Sequence, residues 1–122
     1  DFNISHSGEF ILAVFAVGMD IGVDVQEMAE CPDYREIAEN FYTAEEAEDV
    51  KNEGPDLFFQ YWAAKEAYVK ALGIGLGRGM DFFSVRNEKI AEKDKKDQDW
   101  FLYPVRIKGY AAYVAAHKKG DR

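Results

Sequence analysis

The sequence is poor in cysteine and in basic side chains, and each shortage excludes a class of protein. Cys31 is the only cysteine, so the chain has neither an internal disulfide framework nor a multi-cysteine metal site. Fifteen Lys and Arg against 23 Asp and Glu give a formal net charge of −8, which argues against general affinity for nucleic acid or anionic lipid. Any anionic ligand must therefore be bound by local basic groups.

Long apolar runs are also missing. The longest uninterrupted one, at residues 11–18, is less than half of the roughly 20 residues that cross a bilayer. No basic leader with a cleavage site precedes it. We therefore expect a protein without a membrane span, in the cytoplasm, where one free cysteine suits reducing conditions. The chain begins at Asp1 rather than Met, as a fragment or a processed chain would.

Apolar residues are plentiful, with 48% hydrophobic and 15% aromatic residues in 122, which is enough for the core of one domain spanning residues 1–122. At the start, apolar alternation leads into a Ser-His-Ser-Gly turn at residues 5–8. Residues 9–17 and 21–26 are predicted strands, and the tight connection at residues 18–20 predicts that they form a hairpin.

Helical patterns follow. We expect a short helix at residues 33–41, and the spacing of Thr43 and Glu46 predicts a capping box that opens a second helix. Asp56 is the expected cap of a long helix at residues 56–72. Residues 82–85, 100–107 and 110–116 are predicted strands, with a charged, solvated hairpin loop at residues 87–99. This order predicts an α+β domain in which an antiparallel sheet packs against the long helix.

Glu66 is the most unusual residue of the long helix. At about 100° per residue, it falls inside an otherwise apolar arc, which consists of Phe58, Phe59, Trp62, Val69 and Leu72. An unpaired buried charge costs several kcal/mol, so this carboxylate needs a cation, a hydrogen-bonding partner or a raised pKa. Two interpretations remain open: a structural ion pair, with Lys70 or an arginine, or a functional acid.

Asp24 and Gln26 share one face of the predicted strand at residues 21–26, because side chains alternate with a period of two. If that face meets Glu66, three oxygen-bearing side chains converge. Mg²⁺ prefers such ligands and commonly completes its shell with water and substrate phosphates. A substrate that contains a diphosphate would fit this site.

Other polar residues have two interpretations each. His6, between two serines, is either a surface turn residue or part of a turn that presents imidazole and hydroxyls to a phosphate. Lys65 and Lys70 are either solvated charges or, for Lys70, which lies nearer Glu66, a phosphate contact. The glycine-rich residues 73–79 follow a helix and lack a Gly-Lys-Ser/Thr ending, so they match neither dinucleotide nor Walker loops. They are a helix stop or a point of close ligand approach.

Three ordered segments carry a family resemblance. They are Asn-Ile-Ser-His-Ser-Gly at residues 3–8, Ile-Gly-Val-Asp-Val-Gln at residues 21–26 and Trp-Ala-Ala-Lys-Glu-Ala-Tyr-Val-Lys at residues 62–70. In this order and spacing the chain resembles the C-terminal half of a 4′-phosphopantetheinyl transferase of the surfactin-synthetase-activating type. Residues 110–117 also resemble the closing strand of that family.

The resemblance implies an enzyme that moves the phosphopantetheine arm of coenzyme A onto a serine of an apo acyl or peptidyl carrier protein. Adenosine 3′,5′-bisphosphate is released and Mg²⁺ is required. By motif match, Asp24, Gln26 and Glu66 would line the metal site, and Glu66 would also be the base. Lys70 would contact the coenzyme A diphosphate. Ser5 and His6 would hold coenzyme A phosphates, with His6 on the 3′-phosphate.

Two departures from the family pattern matter. Gln26 stands where the family usually has an acid, which is expected to weaken Mg²⁺ binding. Members of this type also have two similar halves, so we expect a missing N-terminal half, or a dimer or trimer, to complete the site. The alternatives are a non-catalytic remnant that binds coenzyme A or a partner, and a purely structural α+β module.

Overall fold

A computed structural model describes residues 1–74, 79–92 and 99–118 of the chain. The described strands and helices, in chain order, are β1 (Phe2–Ser7), β2 (Phe10–Phe15), β3 (Met19–Glu27), α1 (Tyr34–Phe41), α2 (Ala44–Glu53), α3 (Pro55–Leu72), β4 (Phe83–Ser84), β5 (Ala91–Glu92), β6 (Trp100–Pro104) and β7 (Tyr110–Lys118). All strand pairs are antiparallel. The predicted α+β class is confirmed. No helix in these three ranges has the length and apolar character to cross a membrane.

The central sheet has the strand order β3-β7-β6, and α3 packs against β3 and β7. The β3–β7 pairing aligns Gly22 with Ala115 and Asp24 with Tyr113. At Gly22 the two layers meet without a side chain, because a Cβ there would overlap the Ala67 carbonyl oxygen and the Ala71 nitrogen of α3. Glycine thus allows β3 to approach the helix backbone directly.

The predicted hairpin between residues 9–17 and 21–26 is wrong. β2 pairs instead with β1, in a two-stranded sheet that aligns Phe2 with Phe15 and Ser7 with Phe10. β3 takes its backbone partner from β7, at the far end of the chain. The β1–β2 hairpin packs against β3, whose Val23 and Val25 are fully buried.

The helix boundaries are largely as predicted, with one correction. Thr43 and Glu46 form the predicted capping box, and Gly73 ends α3 with a left-handed φ of 73°. Asp56, however, does not cap α3. The helix begins one residue earlier, with Gly54 at the cap and Pro55 at its first position. Proline suits this position because its missing N–H would have no intrahelical acceptor.

The second half of the sheet differs in detail from the prediction. The strand expected at residues 100–107 ends at Pro104, and the expected charged loop contains a turn at Arg86–Glu88 and the short strand β5, which pairs with β4. Residues 75–78 of the glycine-rich segment and residues 93–98 of the loop lie outside the described residues.

A buried ion pair anchors α3. Lys65, one of the two lysines interpreted as either solvated or functional, is fully buried, and its Nζ lies 2.7 Å from Oε1 of the equally buried Glu46. The same ammonium donates to the carbonyl oxygens of Met80 and Phe83. Glu46 Oε2 accepts the Val85 N–H at 2.7 Å. Burial lowers the pKa of Lys65, and the Glu46 carboxylate opposes that shift.

We expect Glu46→Gln to lower the free energy of unfolding by about 3 kcal/mol, because it leaves the Lys65 ammonium buried without an anion. The matched control is Glu45→Gln, whose carboxylate pairs with Arg86 at a side-chain exposure of 76%. Surface pairs contribute about 1 kcal/mol or less. Urea unfolding of both variants measures the difference. Equal losses for Glu46→Gln and Glu45→Gln would contradict the anchoring role of the buried pair.

Candidate functional site

Asp24 is the centre of the candidate site. Its position on β3 turns it toward α3, on the same face as Gly22, and its exposure is 6%. Ser5 Oγ donates to Asp24 Oδ1 at 3.3 Å, and Gln26 Nε2 donates to Oδ2 at 2.9 Å. The predicted shared face of Asp24 and Gln26 is confirmed by this contact. Both oxygens of a buried carboxylate are thus held in place.

The ionised form of Asp24 is disfavoured despite these partners. Burial raises its pKa to about 6, and the Gln26 amide, the Lys70 charge and the Ser5 hydroxyl only partly oppose the shift. Positive charge added near this buried carboxyl group would stabilise its ionised form.

Glu66 is the second carboxylate of the site. The Glu66 side chain is half-buried. It lies at the edge of the apolar arc of α3 and not among the fully buried residues of the helix. Burial raises its pKa, the charge of Asp24 raises it further, and Lys70 opposes both. The structure therefore brings Asp24 and Glu66 near enough for their charges to interact, as the sequence predicts.

A row of polar side chains on β1 borders Asp24. The N–H groups of Val23, Val25 and Glu27 donate to side-chain oxygens of β1, at 2.8–3.0 Å; the acceptors, in the same order, are Asn3 Oδ1, Ser5 Oγ and Ser7 Oγ. The prediction of a turn at residues 5–8 is wrong for residues 5–7, which belong to β1. Only Gly8 and Glu9 form the turn. We call this row the β1 side-chain ladder.

Lys70 also joins β1 to β3. Its ammonium donates to the carbonyl oxygens of Ile4 at 2.8 Å and Val23 at 2.7 Å. An ammonium carries three N–H groups, so one more can serve an anionic ligand. The ion pair between Glu66 and Lys70, which is one of the two open interpretations of Glu66, is not among the ion pairs of the described residues, although the Lys70 charge still acts on both carboxyl groups.

His6 lies apart from these residues. It alternates with Ser5 and Ser7 on β1, so its side chain is on the opposite face of the strand, where it is exposed. The structure thus brings Ser5, Asp24, Gln26, Glu66 and Lys70 together, and it leaves His6 on the outer face of the hairpin.

The donor set suits a hard cation. Two carboxylates and an amide oxygen match the preference of Mg²⁺, which commonly takes one or two carboxylates and fills its shell with water and phosphate oxygens. Within residues 1–74, 79–92 and 99–118, no group of three or more His, Cys, Asp and Glu side chains could hold a metal ion. A cation bound by Asp24 and Glu66 would therefore depend on Gln26, water and substrate for its remaining ligands.

Sequence reasoning missed two features of this region. One is the buried pair of Lys65 and Glu46, and the other is the β1 side-chain ladder. A signal for the ladder is present, because Asn3, Ser5 and Ser7 recur with the period of a strand face. A signal for Lys65 is its helical spacing from Phe58, Tyr61 and Tyr68, which are all buried.

A family model described as the 4′-phosphopantetheinyl transferase superfamily matches residues 20–116. The chain belongs to the 4′-phosphopantetheinyl transferase superfamily. The matched range contains four residues of the candidate site: Asp24, Gln26, Glu66 and Lys70. Ser5 and His6 precede it.

Individual relatives agree with the superfamily assignment. The chain is 38% identical over 89 residues to the 4′-phosphopantetheinyl transferase Sfp of Bacillus subtilis, covering 70% of this chain and 38% of the relative. An alignment of 144 positions with the L-aminoadipate-semialdehyde dehydrogenase-phosphopantetheinyl transferase of Rattus norvegicus shows 29% identity. It covers 99% of this chain and 47% of the relative. The chain thus spans less than half the length of these superfamily relatives.

In metal-free buffer, Asp24→Asn should raise the free energy of unfolding by about 1–2 kcal/mol near pH 7.5. Because the pKa of Asp24 is raised to about 6 by folding, the folded protein binds its proton more tightly than the unfolded protein does. Stability therefore falls as the pH rises from about 4 to about 6, and Asn removes that loss. A two-unit shift corresponds to roughly 3 kcal/mol, from which a weakened Gln26 hydrogen bond subtracts.

Urea unfolding at about pH 5 and about pH 7.5 measures this effect. Asp33→Asn, at an exposed position that makes no side-chain cap bond, is the control and should change little at either pH. A lower stability of Asp24→Asn than of the unsubstituted protein at both pH values would be the contrary result.

Proposed function

We propose that the protein transfers the 4′-phosphopantetheine group of coenzyme A to a serine of an apo acyl or peptidyl carrier protein. The observation that carries the proposal is the proximity of Asp24 and Glu66, two carboxylates with raised pKa values, within the segment that matches the superfamily. Such a pair is poorly suited to a purely structural role, because each charge makes the other harder to form. A bound cation would offset that cost and could in turn bind a diphosphate.

The transfer step requires a base and a leaving group. The carrier serine oxygen forms a bond to the phosphorus next to the pantetheine arm, and the bond from that phosphorus to the bridging oxygen breaks. Its electron pair leaves with adenosine 3′,5′-bisphosphate. Glu66 takes the serine proton, a role that suits a carboxylate whose pKa is raised toward neutrality.

The other residues bind and orient the substrate. Asp24, Gln26 and Glu66 would hold Mg²⁺, which when bound supplies positive charge beside the diphosphate. Gln26 now directs its amide nitrogen at Asp24, so the amide must rotate to offer its oxygen to a cation. The third N–H of Lys70 would reach the diphosphate. His6 is a predicted contact of the 3′-phosphate, and Ser5 a predicted phosphate contact.

Glu66→Ala should abolish Mg²⁺-dependent labelling of an apo carrier protein by coenzyme A, because both a metal ligand and the base are lost. Loss of one general base alone slows a reaction by about 10²- to 10⁴-fold. Glu48→Ala, an exposed position on α2, is the control. The assay measures transfer of labelled phosphopantetheine by the protein expressed from its complete reading frame.

Catalysis would be excluded if the unsubstituted protein gave no labelling and its affinity for coenzyme A were the same with and without Mg²⁺. That outcome identifies the non-catalytic remnant. If neither coenzyme A nor Mg²⁺ binds, the domain is structural.

We also propose that residues outside these 122, or a second copy of the chain, complete the coenzyme A pocket. The β1–β2 hairpin supports this because its amphipathic pattern is inverted. Three polar residues of β1, namely Asn3, Ser5 and Ser7, face β3. Phe2, Ile11 and Phe15 point outward with exposures of 61%, 73% and 79%. An exposed apolar surface of this kind marks an interaction site.

The 122-residue chain alone, if monomeric by light scattering, should therefore bind coenzyme A more weakly than the protein from the complete reading frame. We expect a difference of at least about tenfold, or 1.4 kcal/mol, for a pocket that lacks one wall. Titration calorimetry of both proteins measures the two affinities. Equal affinities with a monomeric chain would show that the described residues suffice.

A further inference from the structure

We propose that the β1 side-chain ladder positions the strand that carries Asp24, and that Ser5 acts through Asp24 instead of being the phosphate contact that the motif match predicts. Ser5 is then a positioning residue, and Lys70 holds the strand that carries it. The inference rests on the proposed function, because it gives Asp24 a cation to bind. It assigns roles to Asn3 and Ser7 that the motif match does not supply.

The first step concerns the free edge of β3. In an antiparallel pair, alternate N–H groups point to the partner strand and the others point away. β7 occupies one edge of β3, and the N–H groups of Val23, Val25 and Glu27 point to the other. Side chains of β1 accept all three, each from a residue 20 positions earlier. The constant offset shows that β1 runs parallel to β3, joined to it by side chains instead of backbone pairing.

The second step is that Ser5 differs from the other ladder residues. Its hydroxyl accepts from Val25 N–H at 3.0 Å and donates to Asp24 Oδ1 at 3.3 Å. A serine has one O–H donor, so the hydrogen that reaches Asp24 cannot also reach a phosphate. Ser5 is 7% exposed, which further limits contact with a ligand.

The third step is the coupling through Lys70. Its two acceptors belong to different strands, Ile4 on β1 and Val23 on β3. A shift of β1 would therefore disturb both the Asp24 hydrogen bond and the ammonium that the proposed function directs to the diphosphate. Removing a group that hydrogen-bonds to a metal ligand typically lowers metal affinity by about 10- to 100-fold. The ladder thus links the β1–β2 hairpin to the strand that carries Asp24.

The test compares Ser5→Ala with Ser7→Ala, because both remove one ladder hydroxyl and only Ser5 contacts Asp24. In metal-free protein, amide hydrogen exchange should accelerate at Val25 for Ser5→Ala and at Glu27 for Ser7→Ala. Calorimetric titration should then show Mg²⁺ affinity reduced about tenfold in Ser5→Ala and by a clearly smaller factor in Ser7→Ala, which keeps the Asp24 hydrogen bond. Ser5→Thr, which keeps the hydroxyl, should restore most of the Mg²⁺ affinity.

Coenzyme A titrated without Mg²⁺ separates the two roles of Ser5. Unchanged affinity in Ser5→Ala supports positioning, whereas a loss of coenzyme A affinity with Mg²⁺ affinity intact identifies a phosphate ligand and overturns the proposal. Equal Mg²⁺ affinity in Ser5→Ala and the unsubstituted protein overturns it as well. If the unsubstituted protein binds no Mg²⁺, the proposed function itself fails. The amide exchange contrast then reports separately on whether the ladder exists.

Discussion

The direct contact of β3 with α3 at Gly22 is the constraint on which the site depends. Because no side chain separates the two backbones there, β3 lies close to α3, and Asp24, the next residue on the same face of β3, is near enough to Glu66 for their charges to interact. A larger residue at position 22 would push the strand away and separate the two carboxyl groups. The glycine at position 22 thus determines how closely the sheet packs against α3 near the candidate site.

Local patterns were sufficient to predict much of the fold. The capping box at Thr43, the long helix and the alternation of Asp24 with Gln26 all follow from neighbours within a few residues. The pairing of β3 with β7 does not follow from such local patterns. Residues 18–20 suit a tight turn, but β7 supplies a full backbone ladder to β3 from the opposite end of the chain. Hydrophobic periodicity carries no information about which strand wins such a competition.

The candidate site was predictable to a similar extent. Period-two alternation and helical spacing were enough to predict that Asp24 and Gln26 share a face and that Glu66 lies near Asp24. They did not place Ser5 in β1, because a Ser-His-Ser segment has the composition of a turn. The spacing of Asn3, Ser5 and Ser7 indicates a polar strand face, but the backbone edge that they satisfy is known only from the pairing of β3.

Two adjacent residues on α3, Lys65 and Glu66, differ in how their charges are compensated. Lys65 is fully buried, yet Glu46 and two carbonyl oxygens surround its ammonium, so its charge is compensated by the protein itself. Glu66 is less buried, its carboxylate makes no hydrogen bond to any of the described residues, and the charge of Asp24 makes its ionisation harder. A buried charge that is paired with groups of the same protein, such as that of Lys65, stabilises the fold. The Glu66 carboxylate has no such partner in the described part of the chain, and the Lys70 charge only partly opposes the effects of burial and of Asp24. This contrast supports a structural role for Lys65 and leaves Glu66 available to a ligand.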